Sequence, residues 1–329
     1  MQIDFITVLT SVVSLIILAI PGYILAKVKF LPEKAGEVCS TLVLYGCQPM
    51  LVFMGFQGKR YSSDILLNML IVAGIVFVIH LIMICIVSLC IRNKDQETKM
   101  RCARTASVFG NCGYMGMPFL QTLFSGSEYF GEVVVYTAVV ISIFNILNWT
   151  FGVYMITGDK KNISIKKIIL NPTIIAVVLG FIVFVTLKVP IVELAKEGTT
   201  AHMILNKLVQ SFNFLGDMVT PLAMIVIGIR LANVNFKQLF ADKWAYLICF
   251  NKLIIMSIVT IICVLFLPIS EQVKYVVFFS LSMPCATSTA LFTIQFGGDG
   301  DFASVSVLLS TIMSILTIPL MFLLFSLLI

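Results

Sequence analysis

Apolar residues run through this chain in long blocks, and polar residues gather in the short gaps between them. Ten blocks reach the ~20 residues needed to cross a hydrocarbon layer as a helix: Phe5–Ala26, Ala35–Phe56, Leu66–Ile91, Thr105–Phe124, Val133–Ile156, Ile168–Leu187, Leu208–Ile229, Trp244–Leu267, Val273–Phe296 and Phe302–Leu328. They are far too long, and too uniformly apolar, for the alternating strands of a barrel. The pattern predicts an all-α integral membrane protein of ten transmembrane helices. The first block lacks the basic start of a secretory leader, since Met1–Asp4 carries only an acid, and "AIPGYILAKVKF" is a poor cleavage site. It is read as a mature span.

Composition agrees. Sixty per cent of residues are hydrophobic, 12% are charged, and the mean hydropathy is +1.07. A water-soluble domain of that balance would expose large apolar patches. The gaps are too short for a soluble catalytic domain, so an enzyme is not expected.

The net charge of +6 is sorted by side rather than gathered into a nucleic-acid surface. Alternate loops hold Lys27, Lys29 and Lys34; then Arg92, Lys94, Lys99, Arg101 and Arg104; then Lys160, Lys161, Lys166 and Lys167; then Arg230, Lys237 and Lys243. The opposite loops hold only Lys59, Arg60, Lys188, Lys196, Lys207 and Lys274. The positive-inside rule puts the first set in the cytoplasm and both termini outside a multi-pass plasma-membrane protein. Nine scattered cysteines and two histidines offer no metal spacing, and no metal or cofactor is expected.

The basic loop "TGDKKNISIKK" divides the spans five and five. An odd number of crossings makes the second half enter the membrane in the opposite sense. The predicted organisation is a first five-helix repeat over 1–157, a cytoplasmic linker over 158–167 and an inverted repeat over 168–329. Prolines fall at matching places: Pro49 and Pro221 in the second span of each half, Pro118 and Pro284 in the fourth. One proline in a membrane helix is most simply a kink. A matched set points to broken helices around a transport site.

The fourth span carries the strongest sign of a break. "SVFGNCGYMGMPFLQTLF" holds Gly110, Gly113, Gly116, Asn111 and Pro118 in the middle of a block meant for lipid. Freed backbone groups cost several kcal/mol each there, so a break survives only against protein or a watery cavity. In the ninth span Thr287, Ser288 and Thr289 follow Pro284, and their hydroxyls suit either freed carbonyls, a ligand or their own helix. Two broken helices meeting at mid-membrane would aim two helix N-termini, each about half a positive charge, at one place. That makes an anion site without an arginine, and no arginine lies inside the predicted spans.

These residues resemble a known family. "GNCGYMGMPF", "TPLAMIVIGIRL" and "MPCATSTALFTIQFGGD" are similar, in order and spacing along the whole chain, to the auxin efflux carrier family, which includes bacterial permeases. The resemblance implies two inverted five-helix repeats with crossed broken helices, the plan also found in sodium/proton antiporters and bile-acid symporters. It implies a scaffold and a transport domain, elevator-type alternating access, a homodimer, and a small organic anion such as malate or a related carboxylic acid as substrate. By motif it places Asn111, Pro118 and Pro284 at the crossing.

Three further polar residues enter the candidate site. Lys252 lies a third of the way into the eighth span, where it suits a substrate carboxylate or snorkels to the inner surface. Asp217, four residues before Pro221, is the candidate for coupling a proton or sodium ion. Asn145 lies one turn before Asn148 in the fifth span and suits a cavity lining or a helix contact. A sodium-coupled bile-acid-type symporter and a cation/proton antiporter are the nearest alternatives, although neither broken span holds a carboxylate. A channel is a third. The Gly298–Asp301 string is like that of G-x-G-D intramembrane proteases, but no second aspartate faces it from the eighth or ninth span.

Overall fold

The computed structural model describes residues 3–232, 240 and 242–328; Lys237, counted above among the basic residues, lies outside the described residues. The regular secondary structure of the described residues is all helical, apart from one isolated bridge. The helices are α1 (Phe5–Lys27), α2 (Ala35–Gln57), α3 (Ser63–Cys90), α4 (Glu97–Val108), α5 (Met117–Leu123), α6 (Phe130–Thr157), a short α7 (Ile165–Ile169), α8 (Pro172–Leu187), α9 (Thr200–Asp217), α10 (Val219–Ala232), α11 (Lys243–Leu265), α12 (Glu271–Leu281), α13 (Thr287–Gln295) and α14 (Gly300–Leu328).

Eight helical segments among the described residues are long and apolar enough to cross a membrane, α9 and α10 counting together as one. The fourth and ninth apolar blocks do not form such helices. Each is two shorter helices, α4 with α5 and α12 with α13, separated by an unwound stretch. Several are poorly covered by the protein itself: only 33% of the apolar window in α1, and 17% of that in Pro172–Leu194, is buried. Their remaining apolar faces call for lipid.

Helix ends are set by local chemistry. Asp4 caps α1, its Oδ1 accepting from Thr7 N at 2.7 Å, and Asn171 caps α8 just ahead of Pro172. Gly158 ends α6 in the left-handed region at φ 70°, and Arg101 donates to the adjacent Thr157 carbonyl at 2.8 Å. A cation thereby meets the negative end of that helix.

The helices pack in two groups. α1 lies along α10, while α2 contacts α8, α9 and α10. The second group holds α3, α6, α11, α14 and both broken pairs. The groups meet where α2 and α8 touch α6, α1 touches α5 and α14, and α10 touches α5.

Candidate functional site

The unwound stretches cross one another. Gly110 pairs with Cys285 in an isolated antiparallel bridge. Asn111 N donates to Pro284 O at 2.7 Å, and Ala286 N donates to Phe109 O at 2.8 Å. Cys285 N donates to Ser310 Oγ on α14 at 3.1 Å. The break therefore meets its backbone requirement by borrowing partners from the other break and from α14, as a buried interruption must.

The breaks do not all sit at the prolines, which differs from the sequence-based picture. Pro284 lies within the second unwound stretch, but the first is over at Asn111, seven residues ahead of Pro118. Pro118 and Pro49 instead each follow a widened turn, Cys112–Gly116 and Leu42–Cys47. Met117 N bonds back five residues to Cys112 O, and Gln48 N to Val43 O. Proline lacks an N–H and its ring collides with the carbonyl four residues back, so a turn with room for i−5 bonding relieves it without ending the helix. Pro221 lies inside α10, past the α9–α10 junction.

Widened turns also carry the polar side chains. Asn148 opens one in α6, and Lys252 lies in another, Phe250–Ile255, in α11. Such turns recur at functional sites because they redirect a side chain that a regular helix would aim elsewhere. Asn148 Nδ2 donates to Ser288 Oγ on α13 at 3.0 Å. Its neighbour Asn145 is half-buried and makes no side-chain hydrogen bond among the described residues.

Lys252 reaches the crossing rather than the inner surface. It is 0% exposed, and its Nζ donates to Leu281 O, at the end of α12, at 2.8 Å. A Cβ placed on Gly110 would lie 2.8 Å from both Lys252 Cε and Nζ, so glycine there makes room for the ammonium. Among the described residues no carboxylate pairs with it.

Asn111 is 4% exposed and its Oδ1 accepts from Tyr114 N at 3.3 Å, capping the turn that leads into α5. Its Nδ2 has no partner among the described residues. Gly113 faces α2, where a Cβ would lie 3.2 Å from Gln48 Nε2, and Gly116 faces Met283. Thr287 and Ser288 open α13, where the first N–H groups have no acceptor within the helix. Thr289 is buried, with a hydroxyl that finds no partner among the described residues. The expected residues Asn111, Gly113, Gly116, Pro284, Thr287, Ser288 and Lys252 thus gather at or beside one crossing, and Pro118 starts the helix that leaves it.

Asp217 lies elsewhere. It is the exposed last residue of α9 and lines a cavity of about 350 Å³ with α2 and α6 residues. Asp299, from the protease-like string, caps α14, its Oδ1 accepting from Phe302 N at 2.9 Å.

Sequence reading missed three participants. Gln48 is 2% exposed and sits against Gly113; its place before Pro49 was the available signal. Tyr114 OH donates to Ser40 O on α2 at 3.1 Å. Arg230, assigned to a basic loop, lies in the last turn of α10, with Nη2 3.4 Å from Ser40 Oγ. The helix continues beyond the apolar block because Arg230 is half-buried against α2 and has a polar partner there.

A family model described as membrane transport protein matches residues 7–166 and 159–322. Among curated proteins none matches significantly. The two matches between them take in both broken helix pairs and nearly the whole chain, so it belongs to the membrane transport protein family of the auxin efflux carriers, a family of transporters and not of enzymes.

Proposed function

We propose that the protein is a secondary carrier for a small organic anion, a carboxylate such as malate or a related acid, bound where the two broken helix pairs cross. One observation carries this reading: the crossing holds a fully buried ammonium, Lys252, without an acidic partner among the described residues. The open N-terminus of α13 and the free Asn111 amide add to the same positive potential. A cation site would need carboxylates there instead, which weighs against an antiporter built on this plan.

The chain is read as ten crossings in two inverted halves, counting each broken pair as one, with both termini outside. Two packing groups support an elevator: α1, α2, α8, α9 and α10 form the scaffold, and the group with the crossing moves against it. The driving ion is a proton or sodium.

Uptake into proteoliposomes tests the reading. A panel of labelled mono- and dicarboxylates should give saturable entry, and preloading with unlabelled substrate should accelerate it. Flux that stays linear with concentration and ignores preloading would make the protein a channel. Absence of carboxylate entry beside uptake of a cation would reverse the sign of the site.

A further inference from the structure

The segment that joins the two halves carries a surface the crossing does not use. After Gly158 ends α6, the chain passes Asp159, Lys160 and Lys161, forms α7 (Ile165–Ile169) and enters α8. At 3.6 residues per turn, Ile165, Ile168 and Ile169 fall on one side of α7, and Lys166 and Lys167 on the other. The apolar side is uncovered: Ile165 is 66% exposed and Ile169 62%. Leu170 is exposed as well, and the row continues through Val178, Leu179 and Ile182 on the bare face of α8. α7 therefore carries the lipid-facing surface of α8 on to the basic residues.

The lysines meet no neutralising group of the protein. Lys160, Lys161, Lys166 and Lys167 are all exposed, and among the described residues none makes a salt bridge. The one acid of the segment, Asp159, turns to the backbone, its Oδ1 accepting from Lys161 N at 2.9 Å. Lys167 has a fixed place: its Nζ lies 4.9 Å from the centre of the Trp149 ring, in the widened turn of α6. A tryptophan and lysines at one level, beside bare isoleucines, suit the layer where lipid headgroups meet acyl chains.

We infer that α7 lies in that layer and binds an anionic phospholipid. The phosphate sits at Lys166 and Lys167, within the field of Lys160 and Lys161, and the acyl chains run along Ile165, Ile169 and the bare face of α8. A zwitterionic lipid offers the same chains, but its own ammonium offsets its phosphate, so the site selects by net charge. A soluble polyanion would leave the isoleucines in water. The position gives the lipid leverage, because α7 touches the widened turn of α6 in one packing group and α8 in the other. The same turn supports α13, with Trp149 4.5 Å from Phe292 between ring centres and Asn148 bonded to Ser288. A lipid seated on α7 thus braces the turn on which the second half of a broken pair rests. None of this depends on what the crossing carries.

The sequence holds two tryptophans, Trp149 and Trp244, so Trp244→Phe leaves Trp149 as the sole reporter. This full-length variant is reconstituted into phosphatidylcholine vesicles containing a rising fraction of lipid with brominated acyl chains, either phosphatidylglycerol or phosphatidylcholine. Brominated phosphatidylglycerol should reach half-maximal quenching of Trp149 at a mole fraction at least about fivefold lower, fivefold being the worth of one lysine near an anionic surface. Adding Lys166→Gln and Lys167→Gln should bring the two midpoints to within about twofold. Both side chains are exposed, so the fold should survive their loss. Ile165→Ser with Ile169→Ser should instead weaken quenching by both lipids. In detergent, added phosphatidylglycerol should raise the melting temperature of the parent protein more than that of the lysine variant, as a ligand of the folded state does. Equal quenching of the parent by the two lipids, or a preference for phosphatidylglycerol that survives both lysine substitutions, overturns the site and leaves the carrier reading standing.

Discussion

The α1–α10 contact and the crossing of the broken helices both bring backbone against backbone, by different means. Between α1 and α10 the helices stay intact. Gly22 faces the Ile225 carbonyl and Gly228 faces the Ala19 carbonyl, each so closely that a Cβ would collide with main chain. This is the small-residue packing that lets membrane helices touch, and each helix keeps its own ladder of backbone hydrogen bonds, interrupted where Pro21 and Pro221 lack an N–H. At the crossing the helices are unwound, and their N–H and C=O groups pair across the gap. The first contact is suited to a fixed frame, because two continuous helices lock through close main-chain approach. The second places a polar amide and an ammonium beside unwound backbone, Asn111 within the first stretch and Lys252 against Gly110.

The largest effect should come from breaking the intact contact. Gly228→Val drives a branched side chain into the Ala19 carbonyl and Tyr23 N, which are main-chain atoms and cannot rotate aside. Overpacking costs about 1–3 kcal/mol and sometimes more. We expect the upper end, seen as loss of monodisperse protein in detergent and a steep drop in melting temperature. A folded, fully active variant would show that α1 and α10 are not the rigid frame.

At the crossing, function should fail before the fold does. Lys252→Met removes a charge that is costly to bury, so its melting temperature should hold or rise. Transport should fall about a hundredfold, corresponding to about 3 kcal/mol of lost interaction with the anion. Unchanged uptake would place the ammonium outside the mechanism.

Asn111→Ala should raise the substrate concentration for half-maximal uptake about ten- to a hundredfold, the loss of one hydrogen bond to a charged ligand. Saturating substrate should restore its rate. Pro284→Ala should not be rescued in this way, because it lets helix re-form through the stretch that supplies the bridge. If both variants respond alike to substrate concentration, binding and architecture are not separable at this crossing.

The smallest effects concern the hydroxyls around α13. Asn148→Ala loses its bond to Ser288 and should cost about 1 kcal/mol of stability. Thr289→Val should be neutral or slightly stabilising, since its buried hydroxyl has no partner among the described residues and valine has the same shape. A marked transport loss in Thr289→Val would show that this hydroxyl meets the substrate.

Much of the crossing was legible because lipid makes certain residues anomalous. Glycines, Asn111 and Pro284 inside an apolar block have few explanations other than a break, and the break is there. Asn145 and Asn148 were equivalent by that test. A widened turn in α6 and the position of Ser288 on another helix decided that Asn148 makes the contact, and neither leaves a mark in local sequence. Lys252 was balanced between snorkelling and the site for the same reason: distance along a helix does not reveal what a bent turn faces.

Hydrophobic periods, glycine and proline placement and the sorting of lysines and arginines determined by themselves that this is a helical membrane protein with interrupted helices. Those features follow from the solvent, which acts on each segment separately. Which interruption pairs with which, that the first ends well before Pro118, that Arg230 and Gln48 lie against α2, and that Gln57 and Asp217 share a cavity were decided only by the tertiary structure. Each depends on partners far apart in the chain, such as Asn111 with Pro284 or Gln57 with Ile191, whose N–H and C=O groups carry no sequence signature of their own.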